Sequence, residues 1–242
     1  MTLQEKTVLV TGGTSGIGEA TARAYAAAGA DVVITGRDEQ RGHQIVESVQ
    51  KDGGRARFVR ADLERFEDVQ RLAAQIGDVD VLINNAGVFP FGPTHDVDAA
   101  VFDSAFAVNV KAPFFLTGAF APRMAANGGG AIVNISTMVA SFGMPGMALY
   151  GSTKAALELL TKAWAAEYGG QGVRVNAVAP GPTRTPGTEL MGDGLDQLAS
   201  TLPLGRPAST EEIAAAAVFL GSEEASYING AVLAVDGGRT AV

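Results

Sequence analysis

The sequence contains no cysteine and only two histidines, His43 and His95. The absence of cysteine excludes disulfide bonds, thiolate metal centres and a cysteine nucleophile. Two histidines far apart in the chain do not suggest a metal site built from several imidazoles. We therefore predict no metal.

Basic residues and long apolar runs are also scarce. Lys and Arg number 18 against 26 Asp and Glu, a net charge of −8, and no basic cluster is visible. Nucleic acid is therefore not an expected partner. The longest apolar run, 213–220, is far shorter than the roughly 18 residues of a membrane span, and the N-terminus lacks the pattern of a secretory signal. We expect a cytoplasmic protein with no membrane partner.

Glycine and apolar residues, by contrast, are abundant. Glycine accounts for 31 of 242 residues, nearly twice the average frequency of about 7%. No low-complexity tract accounts for these glycines, so many of them are expected at special backbone positions. A hydrophobic content of 47% is enough for a large buried core.

Seven short apolar runs alternate with longer amphipathic stretches. Most runs are continuously apolar, which is typical of parallel strands buried on both faces. The alternation predicts right-handed βαβ units and an α/β fold: one domain over 1–242, with a doubly wound, mostly or wholly parallel seven-stranded sheet and helices on both faces. The predicted strands are 6–11, 31–36, 56–61, 80–85, 131–136, 173–180 and 231–236, and the predicted helices are 17–28, 38–51, 65–76, 97–126, 150–169 and 210–220.

A glycine-rich turn joins the first predicted strand to the first predicted helix. Gly12, Gly16 and Gly18 follow the strand directly. Glycines at such a turn let the backbone approach a pyrophosphate, which then lies at the positive end of the helix dipole. An ordinary turn is the alternative, but the strand–turn–helix context favours a dinucleotide site.

The end of the second predicted strand indicates which dinucleotide is bound. A carboxylate about 20 residues after the glycines would bind the ribose 2′-hydroxyl of NAD. Gly36 stands where that carboxylate is expected, and Arg37 follows it. A guanidinium there can pair with a 2′-phosphate through two hydrogen bonds. We predict NADP(H) in preference to NAD(H). The alternative is a solvated surface arginine, and Asp38 could compete for its guanidinium.

Tyr150 and Lys154 are four residues apart in a predicted helix and therefore share one face. A free phenol, with a pKa near 10, is a poor acid–base group at pH 7. A nearby ammonium favours the phenolate, so we expect Lys154 to lower the pKa of Tyr150. The pair predicts proton transfer, and an ordinary helix surface is the alternative.

Together these motifs resemble the short-chain dehydrogenase/reductase family, in particular its 3-oxoacyl-reductase-like members. The resemblance covers almost the full length and implies a Rossmann-like fold. The matching motifs are TGxxxGxG at Thr11, Gly12, Gly16 and Gly18, NNAG at 84–87, and YxxxK at Tyr150 and Lys154.

The resemblance also implies a set of cofactor contacts. Asp62 would accept a hydrogen bond from the adenine amino group, and Thr185 would lie toward the nicotinamide end. Asn84 could equally be a residue that stabilises the sheet. The implied cofactor-binding residues are Gly12, Thr14, Ser15, Gly16, Ile17, Gly18, Arg37, Asp62, Leu63, Asn84, Ala86, Gly87, Tyr150, Lys154, Pro180, Gly181, Thr183 and Thr185.

Four catalytic residues follow from the same resemblance. Tyr150 would give or take the hydroxyl proton, and Lys154 would orient the cofactor ribose. Asn109 would hold a water that links to Lys154, and a structural, helix-bending role is the alternative, which does not exclude the first. The fourth is usually a serine thirteen positions before the tyrosine, which is Thr137 in this chain. Neighbours in an extended chain face opposite sides, so Ser136 is expected in a structural hydrogen bond instead.

The predicted function is hydride transfer between NADP(H) and a carbonyl or alcohol, in an NADP(H)-dependent ketone or aldehyde reductase. A 3-oxoacyl thioester or similar β-keto compound is one substrate class that the resemblance suggests. The alternatives are an NAD-dependent alcohol dehydrogenase and a catalytically inactive cofactor-binding sensor or scaffold. A substrate loop or lid is expected near 186–205. The C-terminal segment 227–238 resembles the region through which relatives assemble, so a homotetramer is expected, with a homodimer as the alternative.

Overall fold

The computed structural model describes residues 3–242, and these residues form one α/β unit. Every predicted strand is present, with ends within one residue of the prediction. The strands are β1 (Thr7–Thr11), β2 (Asp31–Gly36), β3 (Arg55–Arg60), β4 (Val81–Asn84), β5 (Gly130–Ile135), β6 (Val173–Pro180) and β7 (Val232–Val235). The α-helices are α1 (Gly16–Ala27), α2 (Glu39–Lys51), α3 (Phe66–Ile76), α4 (Ala99–Phe106), α5 (Ala112–Ala126), α6 (Ala148–Tyr168), α7 (Asp193–Ser200) and α8 (Thr210–Gly221).

All seven strands join one parallel sheet in the order β3-β2-β1-β4-β5-β6-β7. Consecutive strands run from β1 to β3 in one direction, and the chain then returns to the other side of β1 to add β4. The crevice at this reversal, outside the carboxyl ends of the strands, is where doubly wound sheets bind their ligands.

Helices cover both faces of the sheet, as the apolar strands predict. Val8 and Val10 of β1 contribute to a core shared with α1, α2 and α8. Leu9 points the opposite way, into a core shared with α3, α5 and α6. Successive residues of a strand thus fill different cores, which is why the strands read as continuously apolar.

The predicted helix over 97–126 is present but not continuous. Between α4 and α5 lies a π-helical turn, Ala107–Lys111, in which the Ala112 N–H donates to the Ala107 carbonyl. Pro113 in the first turn of α5 has no N–H to offer the Asn109 carbonyl, so the regular pattern cannot run through this point. The turn contains Asn109, whose side chain is fully buried.

The Ala99–Ala126 segment is long and apolar enough to cross a membrane by length and composition alone, a test that core helices of soluble proteins also pass. In this fold its α5 part buries Leu116, Phe120 and Met124 against the sheet. The segment is therefore a wall of the α/β core.

The stretch after β6 was predicted as a long loop, and this is wrong in part. It contains α7, which buries Leu195 and Ala199. A 3₁₀ turn, Glu189–Met191, precedes α7, and Gly192 joins the two with φ +49. Buried residues four apart on one short helix face are the signal that composition concealed.

Candidate functional site

A single cleft runs along the carboxyl ends of the strands at the reversal in strand order. Arg37, Asp62 and Leu63 line one end, and Thr137 and Tyr150 line the other. The cleft also receives the glycine turn after β1 and the segment between β6 and α7. Topology therefore places two groups of predicted residues, distant in sequence, in one crevice.

The glycine turn packs so closely that it tolerates no side chain at Gly12 or Gly18. A Cβ atom on Gly12, which has φ +62, would lie 2.8 Å from the Ala86 Cα. One on Gly18 would overlap the Gly12 carbonyl oxygen and the Asn85 amide. Ser15 caps α1 without a side-chain capping bond. The N-terminus of α1 thus faces a backbone cradle that fits a pyrophosphate.

Thr185 closes the cradle from the opposite side. A Cβ on Gly16 would lie 3.3 Å from the Thr185 Cβ. Thr188 fixes this turn, because its hydroxyl donates to the Thr183 carbonyl at 2.8 Å and accepts from the Thr185 N–H at 2.9 Å. Thr188 lines the cleft but was missed from sequence, where it is an ordinary residue of a Thr-rich loop.

Asn84, the last residue of β4, and Asn85, which follows it, point in different directions. The Asn85 side chain donates to the Thr11 carbonyl at 2.9 Å and to the Gly12 carbonyl at 3.2 Å, so it ties the glycine turn to β4. Asn84 is buried instead and donates to the Asn134 side chain at 2.8 Å. Neighbouring strand residues face opposite sides, so only one can face the cleft. The structure places Asn85 at the cleft and Asn84 in the sheet interior.

At the outer end of the cleft, Arg37 is exposed and free of the competition considered from sequence. The Asp38 carboxylate caps α2 by accepting from the Arg41 N–H at 2.9 Å, and it lies 3.8 Å from the Arg41 Nε. A side chain at Gly36 would meet the Thr14 hydroxyl and methyl at 2.8 Å. The end of β2 thus presents a guanidinium, and a side chain at Gly36 would have to displace that of Thr14.

The inner end of the cleft brings Tyr150 and Thr137 together. Burial raises the pKa of the Tyr150 phenol to about 12, and the neighbouring Thr137 hydroxyl acts in the opposite direction. The sequence led us to expect that Lys154 lowers the pKa of Tyr150. That expectation is wrong for the cleft without a cofactor. Lys154 lies 5.9 Å from the Tyr150 ring centre, while desolvation opposes the phenolate. Tyr150 therefore carries its proton at neutral pH.

Lys154 is buried at the base of the site and donates to the Ile135 carbonyl at 2.7 Å. Burial lowers the pKa of its ammonium to about 8. The Ile135 bond ties α6 to the last residue of β5, directly before Ser136 and Thr137. The ammonium is thus held in a desolvated place beneath Tyr150.

Asn109 and Lys154 converge on Gly87. Asn109 Oδ1 accepts from the Val88 N–H at 2.8 Å, and its Nδ2 donates to the Val88 carbonyl at 2.8 Å and to Thr153 at 3.0 Å. A Cβ on Gly87 would lie 3.3 Å from both Asn109 Oδ1 and Lys154 Nζ. The absence of a side chain at Gly87 thus lets the Asn109 amide oxygen, which has a second lone pair, and the buried Lys154 cation both pack against this glycine.

Ser136 faces away from Thr137, as the extended chain predicts. Its hydroxyl donates to Glu158 Oε1 of α6 at 2.7 Å, whereas the Thr137 hydroxyl lies beside Tyr150. Thr137 has an extended backbone, with φ −165 and ψ 152. The two hydroxyls therefore serve different partners.

Most residues predicted for the site line the cleft. Asn84 and Asn109 do not, because their side chains are used inside the fold. Sequence reasoning missed several apolar lining residues, which carry no motif and reach the cleft only through folding. The missed residues include Met138 and Val139, whereas Val88, Phe89, Met144, Met147, Leu195 and Leu198 lie in the segments 88–95, 142–148 and 186–205, which the sequence indicated as shaping the substrate site.

The depressed pKa of Lys154 predicts how stability depends on pH. Between pH 8 and 10 the unfolded chain keeps the Lys154 proton and the folded chain has released it. The free energy of unfolding should therefore rise with pH, by about 2 kcal/mol, in the protein without cofactor relative to Lys154→Met. Urea unfolding of both proteins at pH 8 and pH 10 measures this difference.

Lys162→Met is the matched control, since Lys162 is exposed on the same helix. It should follow the wild-type pH dependence. If the unfolding free energies of wild type and Lys154→Met change in parallel between these pH values, the buried ammonium is not the cause.

Comparison with known proteins agrees with this geometry. A family model described as enoyl-(acyl carrier protein) reductase matches residues 12–240. A solved structure described as a short chain dehydrogenase/reductase family protein is 55% identical, with a TM-score of 0.95 and 100% of each chain covered. The cis-4-hydroxycyclohexanecarboxylate dehydrogenase of Sinomonas cyclohexanicum is 41% identical over 98% of each chain.

A third match is the solved structure of a blue fluorescent protein from a metagenomic library in complex with NADPH. It is 34% identical, with a TM-score of 0.92, and the match covers 98% of this chain and 99% of that one. The chain belongs to the short-chain dehydrogenase/reductase family. It is an oxidoreductase of that family, which uses a nicotinamide cofactor and acts on alcohol and ketone groups of small molecules.

Proposed function

We propose that this protein is an NADP(H)-dependent reductase of ketones or aldehydes. The observation that carries the proposal is the Tyr150 phenol beside the Thr137 hydroxyl, at the inner end of the cleft that receives the glycine turn. When bound, the nicotinamide cofactor supplies or accepts the hydride. The protein supplies a proton and polarises the substrate oxygen.

The proton source in this proposal is the Tyr150 phenol, protonated because burial raises its pKa. Thr137 donates to the same oxygen as negative charge develops on it, as an oxyanion-hole donor does. Lys154 and Asn109 both lie against Gly87, and one water would join them. During carbonyl reduction that water would pass a proton from solvent toward Tyr150. During alcohol oxidation the proton would move the opposite way.

Cofactor preference rests on Arg37. Its guanidinium lines the cleft, and the carboxylate that could neutralise it, Asp38, is committed to capping α2. Gly36 packs against Thr14, so an acidic side chain there would have to displace the Thr14 side chain. A 2′-phosphate is the group that this surface would hold, through charge-assisted hydrogen bonds.

Replacing Arg37 by glutamine should raise the KM for NADPH about tenfold or more and leave the KM for NADH nearly unchanged. The removed interaction is a hydrogen bond to a charged group, and only NADPH has the phosphate that makes it. Initial rates with both cofactors measure the effect. Arg55→Gln is the control, because Arg55 lies beside Asp31 at the amino ends of the strands, away from the cleft. A wild-type preference for NADH would contradict the proposed cofactor.

Activity itself separates the proposed enzyme from a cofactor-binding sensor. The wild type should oxidise NADPH with at least one ketone or aldehyde of a broad panel. Tight NADPH binding without turnover on any member would favour the sensor. The presence of Tyr150, Thr137 and Lys154 in contact with one cleft favours the enzyme.

We also propose that the chain assembles as a homotetramer, with a homodimer as the alternative. The edge strand β7 is only partly buried. Phe114 and Phe115 on α5 are 47% and 42% exposed. Apolar surface of this kind is typical of a face that a second copy covers. Light scattering that gave the mass of a single chain would contradict this proposal.

A further inference from the structure

The part of the cleft around Tyr150 differs in character from the part around Arg37. Phe89 lies edge-on to the Tyr150 ring, with ring centres 5.4 Å apart. Met138 follows Thr137 directly, and Met147 lies one helical turn before Tyr150. All these side chains line the cleft. The reacting oxygen would therefore be surrounded by rings, thioethers and aliphatic groups.

The segment after β6 adds to the same apolar wall. Leu195, which is 4% exposed, and Leu198 reach the cleft from α7. Met191, at the end of the preceding turn, also lines it. Methionine and leucine side chains adapt to apolar ligands of varied shape, and they offer no hydrogen bond to a charged group.

Cations near this region are committed elsewhere. The Arg184 guanidinium lies 2.6 Å from the Asp196 carboxylate, and Arg239 lies over the Phe142 ring at 5.0 Å. Lys154 is bonded to the Ile135 carbonyl beneath Tyr150. Among the residues that the structure describes, Arg37 and Lys154 are the basic residues that line the cleft. No free cation therefore faces the substrate beyond Tyr150.

From this lining we propose that the site selects neutral, mainly apolar carbonyl compounds and rejects those with a carboxylate or phosphate close to the carbonyl. The inference rests on the proposed function and names its substrate class. An anion moved into this wall would lose its water without gaining a cationic partner, which costs far more than burial of a neutral ester. The 41% identical relative is named for a carboxylate substrate, so the inference distinguishes this chain from it.

Matched pairs of acid and ester test the inference. Ethyl 4-oxocyclohexanecarboxylate is compared with 4-oxocyclohexanecarboxylate, and ethyl acetoacetate with acetoacetate, in initial-rate assays with NADPH at pH 7. We expect kcat/KM to be about 100-fold or more higher for each ester, because the acid leaves an unpaired charge in an apolar site. Equal kcat/KM for acid and ester overturns the inference and leaves the proposed function standing.

A gain of charge gives a second measurement on the same pairs. Met144→Lys introduces a cation into the wall, and Met144→Gln is the matched control of similar length. The ratio of kcat/KM for the ester to kcat/KM for the acid should fall about tenfold in the lysine variant. It should stay near the wild-type value in the glutamine variant. An unchanged ratio in Met144→Lys counts against the inference.

A binding assay separates the two proposals if no member of either pair is reduced. The broad panel of ketones and aldehydes then decides the proposed function. Calorimetric titration of the corresponding hydroxy ester and hydroxy acid into the protein with NADP⁺ then tests the inference alone. Tighter binding of the hydroxy ester supports it, and binding of the hydroxy acid that is equal or tighter overturns it.

Discussion

Replacing Tyr150 by phenylalanine is expected to lower kcat about 10³-fold, with little change in the dissociation constant of NADPH. The variant keeps the ring that packs edge-on against Phe89. It loses the phenol hydroxyl beside Thr137, which is the proton donor in the proposed function. General acid–base groups contribute roughly 10²–10⁴-fold to such reactions. Initial rates with a reducible ketone and fluorescence titration of NADPH measure the two quantities.

Tyr168→Phe controls for the substitution itself. Tyr168 ends the same helix, α6, at the end remote from the cleft. Burial and the neighbouring Glu167 raise the pKa of its phenol. This variant should retain near wild-type kcat. If Tyr150→Phe kept a tenth or more of the wild-type kcat, another group would have to be the proton donor.

Replacing Thr137 by alanine should lower kcat on the order of 10²-fold, the loss typical of an oxyanion-hole donor. The expected reason is twofold: the substrate oxygen loses a donor, and Tyr150 loses the partner that fixes its hydroxyl. KM should change much less than kcat, because the interaction strengthens as charge develops on the oxygen. Steady-state kinetics at several substrate concentrations separate the two constants.

Two neighbouring variants make this test specific. Thr137→Ser keeps the hydroxyl and should restore most of the activity that alanine loses. Ser136→Ala breaks only the bond to Glu158 and should cost far less than Thr137→Ala. If Ser136→Ala were the more damaging change, the assignment of the two hydroxyls would be reversed.

Much of the architecture could be predicted from residue patterns alone. Continuous β-branched runs between amphipathic stretches determined the seven strands and the doubly wound sheet, since only strands buried on both faces need such sequences. The glycine turn could be predicted equally well. The backbone has a positive φ at Gly12 and Gly16 and packs closely there, so glycine is the residue that fits these positions. The alternation at Ser136 and Thr137 follows from strand geometry in the same way.

Other features depend on contacts between distant segments. The π turn at Asn109 and the helix α7 were missed, since propensity and composition do not show how a chain is covered by its neighbours. The raised pKa of Tyr150 was predicted with the wrong sign. Sequence spacing gives the distance to Lys154 along the helix, whereas the extent of desolvation depends on what packs over the phenol.

The sequence by itself determined the class of fold, the dinucleotide turn and the pair of residues four apart on one helix face, because each depends on local geometry. The tertiary structure decided which of Asn84 and Asn85 faces the cleft and which apolar side chains line it around Tyr150. These features are set by side chains that meet across the sheet, from segments up to a hundred or more residues apart, and no local pattern records such a meeting.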